Sequence, residues 1–169
     1  MRSAMMAIIL ALTSAIASVQ ADEIKAPVGR VVLAVSIDLK DRSYAEAARF
    51  DMDMLDAMPQ QEIVAVTPWT EGETVFTGVS LRHLLETVGV RDGAKTISAV
   101  ALNDYKVEIP ASDAFEHGVI IASRMNGETM SVRAKGPLWV IYPISDKPEI
   151  DNQKTYSKMI WQLKRLDVR

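Results

Sequence analysis

The sequence predicts a single domain of the α+β class in which β-structure dominates. Three observations carry that prediction. Short runs of β-branched and apolar residues outnumber helical segments from Arg30 onward. Turn pairs, Asn103-Asp104 and Asn126-Gly127, separate consecutive runs. The few helical patterns are short and scattered between the strands, so they do not alternate with them as crossover helices would. A chain of 169 residues suits one domain, and it shows no internal repeat or low-complexity tract.

The elements follow in order. Arg30 to Ile37 (RVVLAVSI) is β-branched, bounded by Pro27-Val28-Gly29 and Asp38, and reads as a strand. Ser43 with Glu46 makes a capping box, and Tyr44, Ala48, Met52 and Leu55 follow at helical spacing until Pro59. The spacing therefore predicts a helix over 43–58. Its methionines (Met52, Met54, Met58) read as flexible core filler, with copper-binding thioethers as the alternative. Gln61 to Thr67 is the next strand. Phe76 to Ser80 leads into a short helix with Leu81, Leu84, Leu85 and Val88 on one face, His83 off that face and Gly89 as its C-cap.

Thr96 to Leu102 and Tyr105 to Ile109 form a strand pair around Asn103-Asp104. Ser112 caps a brief helical turn that ends at Gly118. Val119 to Arg124 and Thr129 to Arg133 flank Asn126-Gly127, the strongest hairpin signal in the chain. Leu138 to Tyr142 is a buried-looking strand stopped by Pro143. Met159, Trp161 and Leu163 alternate as in a last strand.

Residues 1–21 stand apart. Met1-Arg2 is a short positive start, Ala4 to Val19 is apolar, and Val19-Gln20-Ala21 supplies small residues at a cleavage-like site. This is the pattern of a cleaved secretory signal, which leaves residues 22–169 as an exported domain. A membrane anchor is the rival reading, although the apolar run is short for a span. The formal net charge of −3 argues against nucleic acid as a partner. The chain has no cysteine, which excludes disulfides, thiolate catalysis and thiolate metal ligation. Two histidines cannot build a typical zinc site without carboxylate help.

No nucleophile–histidine signature and no glycine-rich phosphate loop occurs. Aromatic and polar residues at strand ends remain: Trp69 after one strand, Asn103-Asp104-Tyr105 between two others, Arg124 at the hairpin, and Tyr142 to Ser145 beyond another. Converging, they would form an aromatic-walled pocket suited to a flat heteroaromatic ligand. Each also has an ordinary explanation. Trp139 and Trp161 read as core residues, Asp104 as a turn residue, Tyr105 and Tyr142 as strand residues, and Arg124 as a solvated edge charge. Trp69, in AVTPWTEGE, has no apolar periodicity around it, and both readings stay open there.

Five segments together resemble the molybdopterin-binding domain of the sulfite oxidase family: 76–85 (FTGVSLRHLL), 101–110 (ALNDYKVEIP), Asn126-Gly127, 136–143 (GPLWVIYP) and 156–163 (YSKMIWQL). Each is weak alone; their order and spacing are specific. The resemblance implies a mostly-β mixed fold. Redox members of that family hold molybdenum through a cysteine at a position that falls at or near Thr67, and a hydroxyl does not replace a thiolate. The family's basic cluster for the cofactor phosphate is reduced to Lys135 and Lys158. A small exported member without the cysteine is similar to periplasmic pterin-binding signalling proteins. These bind a pterin without molybdenum and act on the periplasmic part of an inner-membrane cyclic-di-GMP enzyme.

On that resemblance Trp69 is the stacking platform and Tyr142 the opposite wall. Arg124 and Asp104 are the edge readers, Thr67 lies at the pocket floor, and Tyr105 and Ser145 also contact the ligand. Two alternatives stand beside it: a molybdopterin-dependent oxidoreductase with a non-cysteine metal ligand, and an interaction module whose pocket is vestigial.

Overall fold

The computed structural model describes residues 24–38, 44–90 and 94–169. The signal-like segment 1–21 and Ser43 lie outside the described residues. Two sheets and a few short helices make up the domain. The strands are β1 (Leu33–Asp38), β2 (Tyr44–Phe50), β3 (Gln60–Ala65), β4 (Thr74–Ser80), β5 (Thr96–Ala101), β6 (Lys106–Pro110), β7 (Ile120–Met125), β8 (Glu128–Thr129), β9 (Trp139–Ile141) and β10 (Leu163–Val168). The α-helices are α1 (Met52–Asp56), α2 (Leu81–Thr87), α3 (Asp113–Glu116) and α4 (Gln153–Tyr156). Among the described residues no helix is long and apolar enough to cross a membrane.

The first sheet runs β2-β1-β10-β5-β6. Its β1–β10 pair is parallel, with Ala34 opposite Arg165, and the other pairs are antiparallel. The second runs β3-β4-β7-β8, and β9 pairs with the start of β7 on the edge that β8 takes further along. One hydrophobic core draws Leu33, Val35, Phe50, Ile97 and Leu166 from the first sheet, Phe76, Val79 and Ile121 from the second, and Leu81, Leu84 and Leu85 from α2. Each large side chain so buried stabilises the fold by about 1.5–3 kcal/mol.

The helix predicted over 43–58 is a correction. Tyr44–Phe50 is a strand, antiparallel to β1 with Leu33 opposite Phe50, and only Met52–Asp56 is helical. Long-range pairing and burial of Phe50 override the local helical spacing. The cap is Asp51, which accepts hydrogen bonds from the N–H groups of Met54 (2.9 Å), Val28 (2.9 Å) and Gly29 (2.7 Å). The three methionines pack, partly buried, against the core.

Elsewhere the differences are smaller. Ser80 caps α2 by accepting from the His83 N–H, while Ser112 makes no side-chain cap bond to α3. Asn126 and Gly127 both have positive φ (51° and 82°), as a tight hairpin turn requires, but β8 stops at Thr129 and 132–134 is a 3₁₀ turn. The last strand begins at Leu163; Trp161 makes only an isolated bridge to Trp139. Gly78, in the Gly-Val pair of β4, sits at a register shift against β7. A Cβ there would lie 2.0 Å from the Ile121 carbonyl oxygen, so the motif glycine answers a steric need of the sheet.

Candidate functional site

The chain leaves β3 at Ala65 and turns sharply. The Thr67 hydroxyl lies 2.9 Å from that of Thr70 and accepts the Trp69 N–H at 3.3 Å. The Thr70 N–H donates back to the Thr67 carbonyl at 3.3 Å. Ser145, in the loop after β9, accepts the Val66 N–H at 3.0 Å. These bonds close a small turn and aim Trp69 at the junction of the two sheets.

The other side of the junction is the segment 156–162. Its backbone is stitched to both sheets: the Val140 N–H donates to the Ile160 carbonyl (2.9 Å), and the Leu102 N–H to that of Gln162 (2.9 Å). The buried Trp139 indole donates to the Met159 carbonyl at 3.0 Å. A third edge is the β5–β6 turn, where Asp104 adopts φ 66° and Asn103 accepts the Tyr105 N–H at 3.1 Å.

Between these three edges lies a cavity of about 320 Å³, walled by the rings of Trp69, Tyr105, Tyr156 and Trp161. Met159 and Ile160 add apolar surface, and Asn103 and Ser157 supply polar groups. Its size falls at the low end of small-molecule sites, and its aromatic walls with few polar groups match their usual composition. Trp69 meets Trp161 at 5.4 Å and Tyr156 at 6.0 Å between ring centroids, both edge-to-face, and Trp139 at 6.1 Å. Such pairs hold the rings without closing the space a flat ligand would enter. At the rim, Tyr105 is 58% exposed. The Tyr156 hydroxyl donates to Asp151, and that hydrogen bond holds its phenol above the ordinary acidity range.

The seven residues expected to contact a ligand divide clearly. Trp69 and Tyr105 face the cavity. Thr67 and Ser145 are the turn fasteners described above. Tyr142 is fully buried and its hydroxyl donates to Asp113 at 2.7 Å; burial first, and the Asp113 carboxylate second, push its phenol far above the usual value. It is therefore a core residue and not the opposite wall. Arg124 makes a two-pronged salt bridge to Asp56 (2.6 and 2.7 Å). Asp104 pairs with Lys164 at 2.9 Å, facing outward. Neither edge reader reaches the cavity.

Sequence reading missed Tyr156 and Ser157, named Asn103 at its strand end without giving it a ligand role, and placed Trp161 in the core, whereas Trp161 is 37% exposed on the cavity wall. The alternation of Met159, Trp161 and Leu163 suggested a strand with Trp161 on its buried face, and nothing local in the sequence marked Trp161 as a cavity residue. The opposite wall is thus supplied by Tyr156 and Trp161.

The two lysines left from the basic cluster are both engaged. Lys158 is ion-paired with the buried Asp113 and lies over the Tyr142 ring at 4.8 Å. Lys135 places its ammonium 5.5 Å from the centre of the Trp139 ring. Among the described residues no group of three or more His, Asp or Glu side chains could hold a metal ion. With no cysteine in the chain and the Thr67 hydroxyl bound into its turn, the donors here do not fit molybdenum ligation.

The fold, two sheets with a few short helices, is that of a sulfite-oxidase-type molybdopterin-binding domain. The profile of the family described as the oxidoreductase molybdopterin binding domain matches residues 35–145, and the chain belongs to that family. The crystal structure of the sulfane dehydrogenase SoxCD from Paracoccus pantotrophus is similar in fold, with a TM-score of 0.55 at 15% sequence identity. The alignment covers 80% of this chain and 38% of that one, so the present chain spans well under half of the larger protein. No curated protein matches the sequence.

Proposed function

We propose that this protein binds a pterin, without molybdenum, in the cavity fronted by Trp69. In this reading it is a periplasmic binding protein, not a redox enzyme, and it reports occupancy to the periplasmic part of an inner-membrane cyclic-di-GMP enzyme. The observation that carries the binding step is the ring enclosure itself: Trp69, Tyr105, Tyr156 and Trp161 around a space of about 320 Å³. A pterin is a flat bicycle with a donor-rich edge, which such rings stack and which the Asn103 carboxamide and Ser157 hydroxyl can read. Family membership supports the ligand class, and the lack of any cysteine supports binding without the metal. The signalling step requires that occupancy change affinity for the partner, and the reverse by the same factor.

Calorimetric titration with pterin and with tetrahydrobiopterin tests the binding step. Wild-type protein is expected to show saturable, one-to-one binding, with Trp69→Leu and Trp161→Leu each weakening it by about tenfold or more, or roughly 1.4 kcal/mol. Absence of saturable heat with wild type, or unchanged affinity in both folded variants, defeats the reading. Stoichiometric molybdenum in protein purified from its native host would instead restore the oxidoreductase alternative.

A further inference from the structure

We propose, resting on the pterin reading of the cavity, that Asn103 and Ser157 recognise the lactam edge of the ring, its carbonyl and the N–H beside it, and leave the amino group across the ring unread. Each polar side chain on the wall already has one commitment, which fixes what it has left to offer. The Asn103 side-chain carbonyl accepts the Tyr105 N–H at 3.1 Å. Only the oxygen of a carboxamide accepts, so this turn sets the orientation of the group and leaves its NH₂ as a donor. The Ser157 hydroxyl donates to the Lys154 carbonyl at 2.8 Å. Its one hydrogen is thereby used, and toward a ligand its oxygen acts as an acceptor.

The other groups do not compete with this pair. The Tyr156 hydroxyl spends its hydrogen on Asp151. The indole N–H groups of Trp69 and Trp161 only donate, and the Tyr105 hydroxyl can do either. The main-chain carbonyls of Tyr156, Met159 and Ile160 accept from the Met159 N–H, the Trp139 indole and the Val140 N–H. One fixed donor on the β5–β6 turn and one fixed acceptor on segment 156–162 complement a ring carbonyl next to a ring N–H. Pterin and lumazine share that edge and differ across the ring, where lumazine has a second carbonyl in place of the amino group. Diaminopteridine reverses the edge: an amino donor replaces the carbonyl, and a bare ring nitrogen replaces the N–H. Donor then faces donor and acceptor faces acceptor, which leaves both sides unsatisfied. Asn103 and Ser157 are exposed, so water holds the resulting discrimination to about tenfold.

Calorimetric titration of the full chain with pterin, lumazine and diaminopteridine at neutral pH tests this. Pterin and lumazine are expected to bind within about threefold of each other, and diaminopteridine about tenfold more weakly. Asn103→Asp keeps an oxygen for the Tyr105 N–H but exchanges the donor for an acceptor, and is expected to reverse the order of pterin and diaminopteridine. Ser157→Ala lies outside that turn and is expected to weaken pterin and lumazine about fivefold while sparing diaminopteridine. Diaminopteridine binding wild type as tightly as pterin overturns the proposal. So does lumazine binding about tenfold more weakly than pterin, because the amino group is then being read. An unchanged order in Asn103→Asp that melts like wild type, or an equal loss for all three ligands in Ser157→Ala, also overturns it. Binding of none of the three to wild type defeats the pterin reading itself, an outcome distinct from the others.

Discussion

Lys158 and Asp113 form a buried ion pair, with side chains 11% and 7% exposed, and the same carboxylate oxygen accepts the Tyr142 hydroxyl at 2.7 Å. The pair joins α3 to the strip of chain whose neighbours on either side, Ser157 and Met159, wall the cavity. It therefore ties a structural charge cluster to the shape of the candidate site.

Removing one member of that pair strands the other. Lys158→Met is expected to cost about 3–5 kcal/mol in urea denaturation. The double variant with Asp113→Asn is expected to recover part of that loss, because it removes the uncompensated charge. Additive losses in the double-mutant cycle would show that the two residues act independently.

Arg124→Gln separates structure from recognition. The Arg124–Asp56 bridge is partly exposed, at 29% and 30%, so its loss is expected to cost about 1 kcal/mol. Pterin affinity should stay at the wild-type value, since Arg124 faces away from the cavity. A weakened titration with unchanged stability would return Arg124 to the binding site.

Acid stability should depend on Asp51. Its carboxylate accepts backbone N–H groups, that of Met54 foremost and that of Gly29 next, which hold its pKa below the ordinary 3.8. A carboxyl lowered on folding contributes stability that is full above 3.8 and is lost as pH falls through the lower folded value. Asp51→Asn is therefore expected to lower the melting temperature at neutral pH and to flatten its fall under acid. A parallel curve, displaced but with the same acid slope, would assign that slope to other groups such as Asp56, whose pKa Arg124 also lowers.

Gly78→Ala should be among the most damaging small substitutions. The added methyl would meet the Ile121 carbonyl oxygen and the Ala122 Cα, at 2.0 and 2.6 Å, and backbone cannot step aside as a side-chain tip can. Overpacking of this kind costs about 1–3 kcal/mol. Gly72→Ala, with φ 62° and no atom near its Cβ, makes a useful control, since it carries only the strain of its dihedral angle.

Local patterns made much of the fold readable. Asn126-Gly127 declared its turn through two positive-φ positions, and the α2 face declared itself through Leu81, Leu84 and Leu85. What failed was what depends on distant chain. Tyr44 to Phe50 carries helical spacing, but its partner is β1, and β1 in turn pairs with a strand more than a hundred residues away. The candidate site was legible to the same degree. Trp69 and Tyr105 stood out because turn residues surround them. Tyr142 and Trp161 exchanged roles, because whether a strand aromatic faces core or cavity follows from how the two sheets meet. Arg124 and Asp104 could not be excluded until Asp56 and Lys164 were seen opposite them.

The chain has three tryptophans, and all three stand within 6.1 Å of one another between ring centres, two of them on the cavity wall. The protein's whole indole emission thus originates at one place. Neighbouring indoles at oblique angles also couple their transitions, so the near-ultraviolet circular dichroism should carry a signature of this cluster alone. A ligand that slides against Trp69 becomes an acceptor for that light and a perturbation of that signature at once. The molecule carries its own optical gauge of occupancy, with no background from tryptophans elsewhere.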